Sequence, residues 1–466
     1  MVERMSVQVI QFIIGIVLAR ILSPTEYGTV GLLMVILAFF QVFVDSGFNM
    51  ALIQKQDRSE TDLSTVLFFN IFISLVCYIL LWLIAPYIAT FYQNELLINL
   101  TRVLALSVFL NALFSVPMTI FAINLDFKSI ARTNLIAVFI SGTIAIIMAY
   151  KGYGVWALVY QTIIKSLLTV ILTWFQIRWK PLLIFSKESF ASLFSYGSKL
   201  LISSLLGMVV NNFSNLFIAK LSSIKDLGFY SRGTQFADIV YGTFSSVIDS
   251  VLMPTLSTIQ NERERLIELT RSAIKTAGLI VIPILLGMAV IAEPLIKFLL
   301  TDKWIMAVPI MQIFCLARLI SIISGINVNV LYAIGRTDLA LKQQYLKLLV
   351  RVLLLVVAFR FGIVYIALAE LISTIIHFFI NTYYPSKILK YGPIEQIKDL
   401  FPIILSSIVM AIFIYFSILF IDSNFLKLII ALVVALASYF LSIYLLGFKE
   451  FFTLINKVKL IVKNER

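Results

Sequence analysis

Residues 18–28 read LARILSPTEYG, and residues 218–228 read IAKLSSIKDLG. Each copy closes an apolar run with a cation, Arg20 or Lys220. Each then places a serine, an acid and a glycine in one register: Ser23 with Ser223, Glu26 with Asp226, Gly28 with Gly228. Three of the eleven positions are identical and four more are conservative. A second pair of matched stretches follows downstream, GVWALVYQ from Gly154 and GIVYIALAE from Gly362. Self-similarity at a fixed offset is the mark of an internal repeat. The chain therefore reads as two halves, each opening with the helix that ends at Arg20 or Lys220.

Composition says what those halves are made of. The 466 residues are 61% hydrophobic and only 13% charged, with a mean hydropathy of +1.01. A soluble domain is about 45–50% apolar and about 25% charged, so this chain lacks the polar surface to cover a soluble core. Fourteen apolar spans are expected, near 5–22, 27–48, 64–84, 99–121, 131–150, 153–175, 194–219, 228–256, 273–291, 305–333, 343–360, 362–384, 401–421 and 425–447. Most approach the roughly 20 residues that a helix needs to cross the hydrocarbon layer. Helices satisfy every backbone group internally, and the short alternating segments of a transmembrane barrel are absent. The expected fold is all-α and polytopic. Two six-helix repeats share one orientation, as six is even, and two further helices end the chain. Parallel repeats of this kind suit a transporter with its site between the halves. The expected division is a first lobe over 1–175, an interfacial linker over 176–193 (QIRWKPLLIFSKESFASL), a second lobe over 194–384, and the extra helices with a basic tail over 385–466.

The net charge of +13 is a matter of topology. The cations lie between apolar runs rather than on one polar face, which argues against nucleic acid. Of the 37 Lys and Arg residues, 25 fall on the side shared by the even-numbered loops and both termini, and ten on the other. Cations favour the cytoplasmic side, so both termini are expected there. No small-residue cleavage pattern follows the first span, so a removed signal peptide is not expected. Cys77 and Cys315 sit in separate apolar runs and read as small core residues.

The chain lacks the residues of most enzyme signatures. It has one histidine, His377, which excludes HExxH, and it has no GK[ST] loop, DxD pair or CxxC. Neither a cofactor nor a metal site is expected. What remains is polarity inside apolar spans, where a charge is costly and faces a partner or an aqueous cavity. Candidates for lining a substrate cavity are Arg20, Asp45, Lys165, Asn211, Asn212, Asn215, Lys220 and Arg318. Candidates for ion coupling are Glu370, His377, Asp238 and Asp249. Arg20 and Lys220, ending matched helices, are expected to form a paired cationic mouth on the outer side.

Several segments together resemble the bacterial polysaccharide transport family of the multidrug/oligosaccharidyl-lipid/polysaccharide flippase superfamily. They are IQFIIGIVLARILSPTEYGTVGL, FVDSGFNMALIQ, GYGVWALV, LFSYGSKLLISSLL, DLGFYSRG, AEPLIKFLLTDKW and LYAIGRTDLALK. The chain looks most like the colanic- and teichuronic-acid exporter branch. Its very short N-terminus departs from the family pattern, in which residues usually precede the first helix. The resemblance implies two six-helix lobes around a central cavity plus two C-terminal helices. It also implies movement of an undecaprenyl-pyrophosphate-linked glycan from the inner to the outer leaflet of the bacterial cytoplasmic membrane. Membrane lipids are implied as partners, together with a polysaccharide polymerase and glycosyltransferases. The alternatives are a cation-coupled drug antiporter of the same superfamily and, less favoured for want of a large outer loop, a membrane polymerase or ligase.

Overall fold

The computed structural model of the protein describes residues 2–45, 47–260, 262–448 and 451. At residues 2–5, 195, 196, 199, 203, 206 and 209–211 it describes the backbone alone. Among the described residues it is all-helical. In chain order the helices are α1 (Val2–Ile21), α2 (Pro24–Asp45), α3 (Phe48–Gln54), α4 (Glu60–Tyr92), α5 (Leu96–Ile123), α6 (Phe127–Tyr150), α7 (Val155–Gln176) and α8 (Lys187–Leu221). They continue with α9 (Ile224–Thr258), α10 (Arg263–Val290), α11 (Ala292–Leu300), a 3-10 turn over Asp302–Ala307, α12 (Val308–Ala333), α13 (Thr337–Ala358), α14 (Ile363–Leu389), α15 (Pro393–Leu419) and α16 (Asn424–Leu445).

Each expected span has a helix, and the short α3 and α11 are additional. Among the described residues, eleven helices are long and apolar enough to cross a membrane. The apolar part of α1, Ser6–Ile21, is shorter. Helix α13 is outside the eleven; it carries Asp338, Lys342, Lys347 and Arg351, which lower its hydropathy.

The two copies of the opening motif fold alike. In each, a helix ends and the next begins behind a serine N-cap. The Ser23 and Glu26 side chains form a reciprocal cap at the start of α2: the Ser23 amide donates to Glu26 Oε2 at 2.6 Å and the Glu26 amide to Ser23 Oγ at 3.3 Å. In the second copy the Asp226 amide donates to Ser223 Oγ at 3.0 Å, while Ser222 Oγ donates to the Asp226 carboxylate at 2.5 Å. This satisfies amides that a helix start otherwise leaves open. Two further corners recur. Leu125 (φ 55°) and Gly335 (φ 74°) close α5 and α12 in the left-handed region. The amides of Asp126 and Arg336 there reach back to the Phe121 and Leu331 carbonyls, the 6→1 bond of a helix C-cap. Gly154 (φ 55°) and Gly362 (φ 98°) open α7 and α14.

The chain divides into two compact units, Met1–Gly228 and Phe229–Arg466. In the first, α1 packs on α6, α4 on α5, and α5 and α6 both on α7; α8 packs on α2, α3 and α4. Its core includes Phe48, Leu52, Val66 and Leu67, against which Phe190 and Trp179 pack. The linker is pinned to α4: the Leu182 amide donates to Ser64 Oγ at 2.9 Å and the Ser186 amide to Thr65 Oγ1 at 3.1 Å. The first turn of α9 also belongs to this unit and crosses α2 at the paired glycines. A Cβ on Gly28 would overlap the Ile224 carbonyl oxygen, and one on Gly228 would overlap the Pro24 carbonyl oxygen. Positions 24 and 224 correspond in the repeat, so the crossing is reciprocal. Glycine at both places is what lets the backbones touch.

In the second unit α10 packs on α12 and α15, α14 on α12 and α13, and α16 on α15 and α11. A continuous core runs through Ile274, Ile282, Ile326, Val330, Ile403, Ile414 and Ile443. Many large apolar side chains elsewhere remain exposed, Phe72, Leu183, Leu349 and Phe420 among them, as a lipid-facing surface requires.

Candidate functional site

In the first unit the polar groups form a chain through the helices. Gln41 Nε2 on α2 donates to Asp45 Oδ1 at 3.1 Å. Gln41 Oε1 accepts from Asn111 Nδ2 of α5 at 3.1 Å, and Asn111 Oδ1 accepts from Ser166 Oγ of α7 at 3.0 Å. Sequence reasoning singled out only Asp45 here. Gln41, Asn111 and Ser166 are uncharged and carry no periodic signal. Lys165, beside Ser166 on α7, is half-buried and makes no ion pair among the described residues. An ammonium in that position is available to an anion.

The two repeat cations differ. Arg20 is exposed in the last turn of α1. Lys220 Nζ donates to the Phe91 carbonyl at 2.5 Å and lies 4.3 Å from the centre of the Phe91 ring. It therefore serves the end of α4, where a cation meets the negative end of the helix dipole. Asn212 Nδ2 donates to the Met208 carbonyl of its own helix at 3.0 Å, and the Asn215 amide reaches Asn212 Oδ1 at 3.5 Å. The side chain of Asn211 lies outside the described residues.

In the second unit the candidates pair with one another or with residues sequence reasoning placed elsewhere. Arg318 Nε donates to Asp238 Oδ1 at 2.5 Å, with the guanidinium 5.1 Å from the Tyr241 ring centre and 5.2 Å from that of Phe314. Asn329 Nδ2 donates to Asp249 Oδ1 at 2.7 Å. Both bonds join α9 to α12, eleven residues apart on each helix. Arg351 of α13 donates from Nη2 and Nε to Glu370 Oε1 of α14 at 2.6 and 3.0 Å. His377 Nε2 is 3.0 Å from the Lys347 carbonyl, which can only accept, so this nitrogen carries the proton; Ser373 Oγ is 3.1 Å away. Among the described residues no cluster of His, Cys, Asp and Glu could hold a metal.

One cavity of this unit is mostly apolar. A groove of about 750 Å³ runs between α10, α11, α15 and α16, lined by Leu279, Pro283, Gly287, Ile414, Ala435 and Tyr439 among others. The Tyr439 hydroxyl donates to the Leu279 carbonyl at 2.7 Å, so its proton is already used on that wall. The helices that cover it, α15 and α16, are the two outside the repeat.

Residues 17–309 match the family model described as polysaccharide biosynthesis protein. The chain belongs to that family. The teichuronic acid biosynthesis protein TuaB of Bacillus subtilis is 25% identical over 341 residues, which is 73% of this chain and 71% of the relative. The lipopolysaccharide biosynthesis protein WzxC of Escherichia coli is 24% identical over 375 residues, 78% of this chain and 75% of the relative. Among solved structures, the lipid II flippase MurJ in an inward closed conformation matches with a TM-score of 0.76 at 19% identity, covering 95% of this chain and 97% of MurJ. An inward-facing multidrug transporter of the MATE family matches at 0.63 with 15% identity, covering 82% of this chain and 96% of that one. The fold is the one these two transporters share, and both relatives in sequence are named for the biosynthesis of a polysaccharide.

Proposed function

We propose that the chain moves a polyprenyl-pyrophosphate-linked glycan across the bacterial cytoplasmic membrane by alternating access, with both termini in the cytoplasm. The observation that carries this reading is the mostly apolar groove between α10 and α15–α16. A lipid-linked sugar has an apolar tail that stays in hydrocarbon and a charged, hydroxylated head that cannot cross it unaided. A mostly apolar cleft open to its surroundings suits the tail. Within the first unit, Lys165 offers a cation to a pyrophosphate, a charge-assisted contact stronger than one between neutral groups. Asn111, Gln41 and Ser166 supply hydrogen-bonding groups for sugar hydroxyls. A cytoplasm-negative potential favours outward passage of the anionic head by about 2.3 kcal/mol per charge per 100 mV. Membership of the family and the relatives' names support the glycan as cargo. The repeat halves, 1–175 and 194–384, are proposed as the two rocking lobes.

The test is surface glycan in a strain carrying Gly287→Leu or Lys165→Ala at matched protein levels. A leucine at 287 fills the groove next to Met410 and Ile414 without a main-chain clash, since a Cβ there stands 3.6 Å from the Met410 methyl carbon. Loss of about one charge-assisted bond at Lys165 lowers export about tenfold, and accumulation of lipid-linked glycan in the inner leaflet accompanies it. Wild-type export by both variants removes the reading. Asp45, exposed at the end of α2, carries a second reading in which a cation gradient drives the cycle; Asp45→Asn then abolishes the dependence of export on that gradient.

A further inference from the structure

We infer that the second unit holds a site for one anionic phospholipid, a phosphatidylglycerol, where α13 begins beside the end of α14. A cavity of about 400 Å³ lies there, lined by Lys342, Gln343 and Leu346 of α13 and by Phe379, Tyr383 and Tyr384 of α14 among others. Leu346 and Phe379 are half-exposed, so the outer wall faces the hydrocarbon around a membrane helix. Helix α14 has 27 residues, about 40 Å of length, which outreaches about 30 Å of hydrocarbon. Its last turns, with Tyr383, Tyr384 and Lys387, therefore stand among headgroups, the level at which tyrosine collects. Lys342 and Gln343 meet them there from the second turn of α13.

The rim is cationic. Lys342 is exposed, and its ammonium makes no ion pair among the described residues. Lys387, one turn beyond Tyr383, donates to the Tyr383 hydroxyl at 2.7 Å and lies 4.4 Å from the centre of that ring. Among the described residues no carboxylate lines the cavity. Asp338, in the first turn of α13, is held by Arg336, which donates to both its oxygens at 3.0 and 3.1 Å. Two ammonium groups beside an acid-free, lipid-facing cavity suit a phosphodiester whose chains stay in the bilayer. Basic pockets between helices on the cytoplasmic side hold anionic headgroups, and the charge bias assigns this end to the cytoplasm. Gln343 selects among such headgroups. It is 3% exposed, and its Nε2 donates to the Ile380 and Asn381 carbonyls at 2.6 and 3.3 Å. Carbonyls only accept, so the amide cannot be flipped. Its Oε1 then meets no donor among the described residues, an uncommon and costly state for a buried acceptor. A glycerol hydroxyl entering beside Gln343 supplies that donor. The inference is independent of the cargo proposed above.

The experiment follows thermal unfolding of the full chain in detergent at constant ionic strength, titrated with short-chain phospholipids. Phosphatidylglycerol combines a negative charge with hydroxyls. Phosphatidylmethanol keeps the charge without the hydroxyls, and phosphatidylethanolamine keeps N–H donors without the net charge. Phosphatidylglycerol is expected to stabilise at the lowest concentration, with its midpoint raised about tenfold by Lys342→Gln or by Lys387→Gln. Both lysines are exposed and glutamine matches lysine in helix propensity, so both variants are expected to fold. A midpoint for phosphatidylglycerol equal to that for phosphatidylethanolamine or for phosphatidylmethanol overturns the site. So do unchanged midpoints in the two lysine variants. An equal loss in Lys151→Gln, exposed just after α6, marks a response to overall charge and overturns it as well. Equal stabilisation by glycerophosphoglycerol, the headgroup without its chains, assigns a soluble ester in place of the lipid.

Discussion

Alanine at position 28 tests the reciprocal crossing of α2 and α9. A Cβ there overlaps the Ile224 carbonyl oxygen and stands 2.9 Å from the Gly228 amide nitrogen. Both obstacles are main chain, so no rotamer relieves the overlap and the helices must part. Overpacking costs about 1–3 kcal/mol, and rigid neighbours place this case near about 3. Alanine returns about 1 kcal/mol over glycine within a helix. The net is a loss of about 2 kcal/mol, about thirtyfold in the ratio of folded to unfolded protein. Gly31, three residues on in α2, has no atom within 4 Å of a built Cβ. Gly31→Ala should therefore gain up to about 1 kcal/mol by the same propensity term. Thermal unfolding of the purified variants should move in opposite directions for two identical substitutions in one helix. Gly28→Ala combined with Gly228→Ala should cost less than the two losses added, because the first already separates the backbones. If Gly28→Ala raises the midpoint as Gly31→Ala does, the crossing is not as described.

The α9–α12 ion pair predicts a thermodynamic cycle. Asp238→Asn or Arg318→Gln alone leaves a lone charge in a membrane helix, while the double variant leaves none. The insertion scale sets a ceiling of about 2.5–3.5 kcal/mol, and side chains 42% and 28% exposed reduce it to about 1–2 kcal/mol for each single variant. Unfolding midpoints should show the double variant recovering most of the loss; additive losses would disprove the coupling. At the start of α6, Ser129 donates from its amide at 3.0 Å and its hydroxyl at 2.6 Å to Asp126. These bonds, the hydroxyl's first, hold the carboxyl below its ordinary 3.8. A lowered folded-state value stabilises above the ordinary value and is lost as pH falls through it. Asp126→Asn should thus flatten the loss of stability between about pH 5 and pH 3, and an unchanged acid limb would contradict the cap.

The repeat was readable because capping is local chemistry. A serine three residues before a carboxylate, after an apolar run, specifies the same helix start at Ser23 and Ser223 whatever surrounds it. The spans were readable for the same reason, since hydrocarbon thickness sets their length. Helices α3 and α11 were not, as seven and nine residues are too few to cross a membrane and so vanish under a span-length criterion. The polar chain Gln41–Asn111–Ser166 was invisible because its partners are 70 and 55 positions apart and none is charged. Arg351 is one cation among many in the sequence, whereas α13 turns it onto Glu370. The pairings of Asp238 and Asp249 with α12 depend on helix rotation, which composition does not encode. Polarity in a span marks a residue that must have a partner, without saying whether that partner is a ligand or the next helix.

Helices α15 and α16 break a symmetry that the duplication created. Setting aside the short α3, α10 is the third helix of its half, as α4 is of the first. Among the described residues the first unit contains no counterpart of the added pair, and α4 keeps Phe72, Trp82 and Leu83 exposed. A duplicated protein of this kind begins with two equivalent outer faces. Roofing one of them gives the second unit its apolar cleft. If that cleft takes the tail as proposed, titration with a polyprenyl phosphate should saturate at one molecule per protein.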